Sequence, residues 1–195
     1  MAWVSKEWLR EFHVVQPIPK TRVSQPCVQW KPPPENLAKI NFDGAIFSEA
    51  NKSWIGVVVR NSQGLVLASY SQQLPQAYCP LEVEAMAAAK AFQFACKIGI
   101  SNAVLERDSL LLISALRGGT KNLSPYGILL EDVWVCSTLF TQLCYSYVKR
   151  EDNKIAHNLA RFAVNIPGFF VWMNDVPLQF ISVLQTDLAS FSQFK

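Results

Sequence analysis

The hydrophobic residues of this chain change rhythm several times, and the changes mark its elements. From Lys39 to Ala45 polar and apolar positions alternate, as in a strand with one buried face. Trp54 to Arg60 is rich in β-branched residues, Asn61-Ser62-Gln63-Gly64 has turn composition, and Leu65 to Tyr70 returns as the second arm of a hairpin. Pro80 is placed to open a helix that runs to about Ile98 and stops at Gly99. Ala103 to Arg107 reads as a short strand, after which Asp108 or Ser109 caps a helix ending at Gly118-Gly119. Pro125 to about Leu139 is predicted helical, Leu143 to Lys149 a strand, and Asp152 to about Val164 a last helix. The order β-β-β-α-β-α-α-β-α predicts an α/β domain. Three antiparallel strands followed by β-α units would give a mixed five-stranded sheet flanked by helices.

The flanks differ in texture. Residues 1–37 hold Pro17, Pro19, Pro26 and the run Pro32-Pro33-Pro34, which disfavours helix and sheet interior and reads as a tether. Within it, Val4, Trp8 and Phe12 could line one side of a short helix. Residues 38–164 form the predicted domain. In 165–195 the apolar Phe169, Phe170, Val171 and Trp172 precede Pro177 and a predicted helix from Leu178 to Phe191. This tail is expected to pack on the domain, because its apolar residues need cover.

Composition narrows the class. Half of the 195 residues are hydrophobic and 17% are charged, as in a chain with a packed core. A net charge of +3 is compatible with a nucleic-acid partner without requiring one. Five widely spaced cysteines without a C-x-x-C pair, and only two histidines, argue against a zinc site or a disulfide framework. Lys6, Glu7, Arg10 and Glu11 interrupt any apolar leader, and no run of about 20 apolar residues occurs, so neither a signal peptide nor a membrane span is expected. The expectation is a nuclear or cytoplasmic monomer.

Acids in unfavourable places carry the chemistry. Glu84 lies on a helix whose Ala87, Ala88, Ala91, Phe94, Ala95 and Ile98 form an apolar stripe, where a carboxylate loses solvation. Glu82, two residues away, shares a more hydrated side with Lys90 and Gln93. Asp43 stands in a predicted strand, where Asp is disfavoured. Asp108 follows a strand and opens a helix. Simpler accounts exist: the helix dipole also favours Glu84, and N-capping also explains Asp108. Together, oxygen ligands from a strand, a helix and a strand end suit Mg²⁺ or Mn²⁺. A pair of such ions can activate water and stabilise the leaving oxygen of a phosphodiester.

In order and spacing, several segments resemble the type 1 ribonuclease H domain, in the plant branch related to non-LTR retrotransposon reverse transcriptases. They are Trp30-Lys-Pro-Pro-Pro, Lys39-Ile-Asn-Phe-Asp43-Gly-Ala45, Gly56-Val-Val-Val-Arg60, Pro80-Leu-Glu-Val-Glu84-Ala85, Leu105-Glu-Arg-Asp108-Ser109 and Arg150-Glu-Asp-Asn153-Lys-Ile-Ala-His157-Asn-Leu-Ala160. The tail from Trp172 through Leu188 is similar to tails of that group. The resemblance implies a ribonuclease H-like fold and endonucleolytic cleavage of the RNA strand of RNA–DNA hybrids. It also implies a four-carboxylate site with two divalent ions, Mg²⁺ or Mn²⁺. Three of the acids carry over to Asp43, Glu84 and Asp108 as metal ligands. The fourth position holds His157, a poorer ligand for Mg²⁺ than a carboxylate and more acceptable to Mn²⁺. His157 would serve as a weak ligand or as proton acceptor for the attacking water, kept neutral by the helix start. The loop before the last helix, Tyr147-Val148-Lys149-Arg150, lacks the histidine that bacterial relatives supply.

Hybrid binding calls for cations on phosphate and donors on sugar. Lys149, Arg150, Lys154 and Arg161 are the candidate cations, and Asn41 and Asn153 the candidate amide donors. Two other readings compete. One is a catalytically silent, retroelement-derived nucleic-acid-binding module, motivated by His157. The other is a protein-interaction domain that uses the tail or tether.

Overall fold

The computed structural model describes residues 30–118, 125–165 and 167–192. The predicted helix at Val4, Trp8 and Phe12, most of the tether and the end of the Gly118-Gly119 stop lie outside the described residues. Strand β1 (Ala38–Phe47) pairs antiparallel with β2 (Lys52–Arg60), which pairs antiparallel with β3 (Val66–Leu74). On its other edge β1 runs parallel to β4 (Asn102–Arg107), and β4 runs parallel to β5 (Gln142–Tyr147). The helices are α1 (Pro80–Lys97), α2 (Leu110–Gly118), α3 (Pro125–Ser137), α4 (Lys154–Phe162) and α5 (Ile181–Ser192).

The sheet has six strands rather than the expected five. Phe169–Met173 forms β6, antiparallel to β3, and the order is β5-β4-β1-β2-β3-β6. An unbroken apolar run hides this strand, because neighbouring residues are used on opposite faces. Val171 packs against one core and Trp172 against the other. The folded body also begins before residue 38: Trp30 is buried and its ring lies 3.4 Å from the Arg60 guanidinium carbon. The proline run is therefore held at both ends, not only at Ala38.

One face of the sheet carries Ile40, Phe42, Ile55, Val57 and Val59 against α1 and α3. Small residues of α1, Ala87, Ala88, Ala91 and Ala95, let the helix settle close to the strands. The other face carries Val58 and Val66 against Ile155, Ala156 and Leu159 of α4, and Val183 and Leu184 of α5 extend that cover.

Two glycines set how near these helices come to Asp43. A Cβ on Gly44 would lie 2.4 Å from Val83 Cγ1, so the first turns of α1 rest on β1 beside the acid. Gly56 is the cross-strand partner of Asp43, and a Cβ there would lie 2.3 Å from Ala160 N and 2.4 Å from Ala156 O. Any side chain at Gly56 would push α4 away and carry His157 with it.

Candidate active site

Asp43 sits in β1 between these two close approaches and is almost buried. Its Oδ1 accepts from the Gly44 amide at 2.8 Å, and its Oδ2 lies 2.6 Å from His157 Nδ1. Burial alone would raise the pKa of Asp43. The hydrogen bond from His157, the charges of Arg107 and His157 and the Gly44 amide together outweigh it and hold the carboxyl below its ordinary value.

Glu84 reaches the same place from α1, and Asp108 from the residue just after β4. Their side chains are 23% and 16% exposed, against 7% for Asp43, so the three acids form a rim with one deep member. They border a polar pocket of about 270 Å³, also bordered by Ser109 and Arg150. Asp108 does not cap α2: Ser109 Oγ takes the Leu112 amide at 3.4 Å, and Asp108 Oδ1 instead accepts from Asn153 Nδ2 at 3.3 Å. Glu82 is likewise spent locally, its carboxylate accepting the Cys79 amide at 2.9 Å.

The centre of this group is a residue to which sequence reasoning gave no role. Arg107 ends β4 with its side chain 5% exposed. Its Nη1 lies 2.6 Å from Asp43 Oδ1, its Nη2 3.4 Å from Glu84 Oε1 and its Nε 3.7 Å from Asp108 Oδ1. Nη1 also donates to the Phe42 carbonyl at 3.0 Å. The available signal was a cation in a buried strand directly beside a candidate acid.

The candidate nucleic-acid contacts divide. Arg150 is exposed and borders the pocket, with its Nη2 3.4 Å from His157 Nδ1, and Lys149 and Lys154 are exposed close by in sequence. Arg161 lies over the Phe47 ring at 5.3 Å. The two asparagines are corrections. Asn41 is fully buried, donating to Glu106 at 3.0 Å and accepting from Arg60 at 3.0 Å, so its amide is committed to the interior. Asn153 is 1% exposed and donates to the Phe42 carbonyl at 3.0 Å. It ties the start of α4 to β1 and to Asp108, and so positions acids rather than meeting solvent.

Donor chemistry and spacing point in different directions for a metal. Asp43, Glu84 and Asp108 offer hard oxygen ligands around one pocket, which suits Mg²⁺ or Mn²⁺. Their separation, however, is set around the guanidinium. Among the described residues no three of His, Cys, Asp and Glu stand close enough to ligate one ion.

The profile of the family described as reverse transcriptase-like matches residues 41–163. An Arabidopsis thaliana protein named provisionally as a ribonuclease H protein is 25% identical over 195 residues. The match covers 93% of this chain and 30% of that protein, so the chain spans under a third of that relative's length. Among solved structures, ribonuclease H1 from the archaeon Halobacterium salinarum aligns with a TM-score of 0.60 at 23% identity, over 66% of this chain and 97% of that one. The N-terminal ribonuclease H domain of Rv2228c from Mycobacterium tuberculosis aligns at 0.59 and 25% identity, over 66% and 93%.

Proposed function

The chain belongs to the reverse transcriptase-like family and its folded body is a ribonuclease H-like domain, and from that premise we propose that it hydrolyses the RNA strand of RNA–DNA hybrids as a type 1, divalent-metal-dependent endonuclease. The observation that carries this reading is the convergence of Asp43, Glu84 and Asp108, from three separate elements, on one polar pocket beside the exposed Arg150. The resemblance of these segments to the plant, retroelement-related branch supports the same reading.

In this proposal Asp43, Glu84 and Asp108 would hold Mg²⁺ or Mn²⁺. Bound ions would lower the pKa of water and neutralise charge on the leaving oxygen. Arg150, Lys149 and Lys154 take phosphates of the hybrid. His157 engages Asp43 through Nδ1, and its Nε2, 3.5 Å from Arg150 Nη2, would accept a proton from water in the neutral imidazole once Arg150 turns to phosphate. Asn153 holds Asp108 and the β1 backbone in register, so the acids keep their places while the strand is bound.

The test is cleavage of a hybrid with labelled RNA by nuclease-free protein in each metal. The expected result is internal RNA cuts, intact duplex DNA and a loss of more than about a hundredfold in Asp43→Asn, beyond the scale of outer-shell changes at metal sites. Silence of the wild type in both metals would remove the proposal. A second reading, a hybrid-binding module without turnover, is favoured by Arg107 among the acids and by His157 at the fourth position. It predicts salt-sensitive hybrid binding that survives Asp43→Asn and no RNA cuts at all.

A further inference from the structure

The metal reading leaves a buried cation in the middle of the proposed ligands. Arg107 contacts all three acids through three different nitrogens, and it is held there by more than their charge. The Phe42 carbonyl accepts from Nη1, the Phe42 ring lies 5.2 Å from the guanidinium carbon, and β4 pairing fixes the backbone beside β1. The neighbouring residue Glu106 points to the other side, toward Asn41 and Lys39, so strand alternation aims Arg107 into the pocket. A divalent ion and a guanidinium need the same oxygen lone pairs. They cannot both sit against Asp43 Oδ1, which already accepts from the Gly44 amide and has Arg107 Nη1 at 2.6 Å.

We infer that Arg107 is the resident counter-cation of this pocket, and that a divalent ion enters only when the guanidinium withdraws. The inference rests on the reading of Asp43, Glu84 and Asp108 as metal ligands. Its content is a coupled exchange: metal entry costs the charge-assisted bonds of Arg107, so affinity is set by this one residue. A phosphate group near Arg150 is a chemically suitable acceptor for the displaced guanidinium, since both bind oxyanions. Metal loading should therefore strengthen when a phosphodiester strand is present.

The experiment is direct Mn²⁺ binding to the full chain, read by electron paramagnetic resonance of free Mn²⁺, which needs no turnover. Wild type, Arg107→Ser, Arg107→Lys and Asp43→Asn are compared, each with and without a non-cleavable hybrid. Arg107→Ser should bind Mn²⁺ on the order of tenfold to a hundredfold more tightly than wild type, the range of ordinary coupling between sites. Arg107→Lys, with a charge that lacks the fork, should fall between, and Asp43→Asn should lose the site. If removal of the charge leaves Arg107→Ser unfolded without metal, refolding on addition of Mn²⁺ supports the exchange, because the ion then replaces the missing cation. Equal affinity of wild type and Arg107→Ser overturns the inference and leaves the hydrolase reading standing. Wild-type affinity unchanged by hybrid overturns the phosphate-assisted step. Absence of binding in every variant overturns both the inference and the metal reading beneath it.

Discussion

Two charge clusters, one covered and one open, lie back to back at β1 and β4, and neighbouring residues of one strand feed them. Glu106 supplies the first, a closed network. Its carboxylate takes Lys39 Nζ at 2.8 Å and Asn41 Nδ2 at 3.0 Å, and Arg60 joins Asn41 to Asp187 of α5, with the Arg60–Asp187 contact at 2.7 Å. The Trp30 ring covers Arg60, and Trp30 Nε1 donates to Asn41 at 3.3 Å. Arg107 supplies the second cluster, which opens on a pocket and sets one guanidinium against three carboxylates. Among the described residues the first pairs Lys39 with Glu106 and Arg60 with Asp187 under a lid. The second has an excess of acid and an opening. Closed and balanced charge locks elements together, whereas open and unbalanced charge is what a ligand can answer.

The sharpest way to break this comparison is to remove the arginine from each cluster. Arg60→Ala removes the cation that meets Asp187 at 2.7 Å, leaves the Asn41 carbonyl without its buried arginine donor and uncovers the Trp30 ring, and should cost about 3–5 kcal/mol in urea unfolding. It should also loosen α5, read as faster amide exchange across Ile181–Ser192. Arg107→Ser in metal-free buffer leaves the buried Asp43 its Gly44 and His157 partners and leaves Glu84 and Asp108 within reach of water, and should cost only about 1–2 kcal/mol. Equal costs would mean that the pocket is as structural as the network. A second test works on the open cluster alone. His157→Asp places a carboxylate where the fourth acid was expected, and on the proposed function should raise Mg²⁺-supported cleavage on the order of tenfold, the scale on which changes around a metal act. Mn²⁺-supported cleavage should change less. Indifference in both metals would detach His157 from the chemistry.

Acidity gives a third and smaller effect. Asp43 has a folded pKa below its ordinary value of 3.8, so its ionised pairing stabilises the fold above about pH 4 and is lost as pH falls through the depressed value. Wild type should therefore be more stable than Asp43→Asn at pH 7 in metal-free buffer, and the gap should close at the acid end. A constant gap would show that the partners of Asp43 act through packing and not through charge.

The open cluster was more legible in the sequence than the closed one. Asp43 and Glu84 each offend a local rule, strand propensity or an apolar helix stripe, and an offence is visible one residue at a time; Asp108 offends none and was legible only beside the other two acids. The five strands of the domain were legible from alternation and turn composition, whereas β6 was not, because Phe169 to Met173 is apolar on both faces. Arg107 and the Lys39–Glu106–Asn41–Arg60–Asp187 network were missed for a different reason. Their meaning lies in pairs up to 127 residues apart, such as Arg60 with Asp187, and no periodicity announces such a pair. Asn41 shows the cost: read alone it is a spare donor, and in the fold its Nδ2 donates to Glu106 while its Oδ1 accepts from Trp30 and Arg60.

The finest test concerns a flaw in the closed network. Asp152 is buried at the start of the α4 region, and its Oδ2 has no hydrogen-bond partner among the described residues. Burial first, then the charges of Glu106, Asp187 and Glu151, raise its pKa against the weaker pull of Lys154. An acid whose folded pKa lies above its unfolded value costs stability when ionised, and the cost fades as pH falls through the raised value. Asp152→Asn should therefore stabilise the chain at pH 7 by less than about 1 kcal/mol, since the amide removes the repulsion but keeps a polar group in the same shell. At acid pH the two proteins should converge. A loss of stability at neutral pH would instead show that the Asp152 charge is used. The closed cluster would then be unbalanced like the open one, and the distinction between them would rest on cover alone.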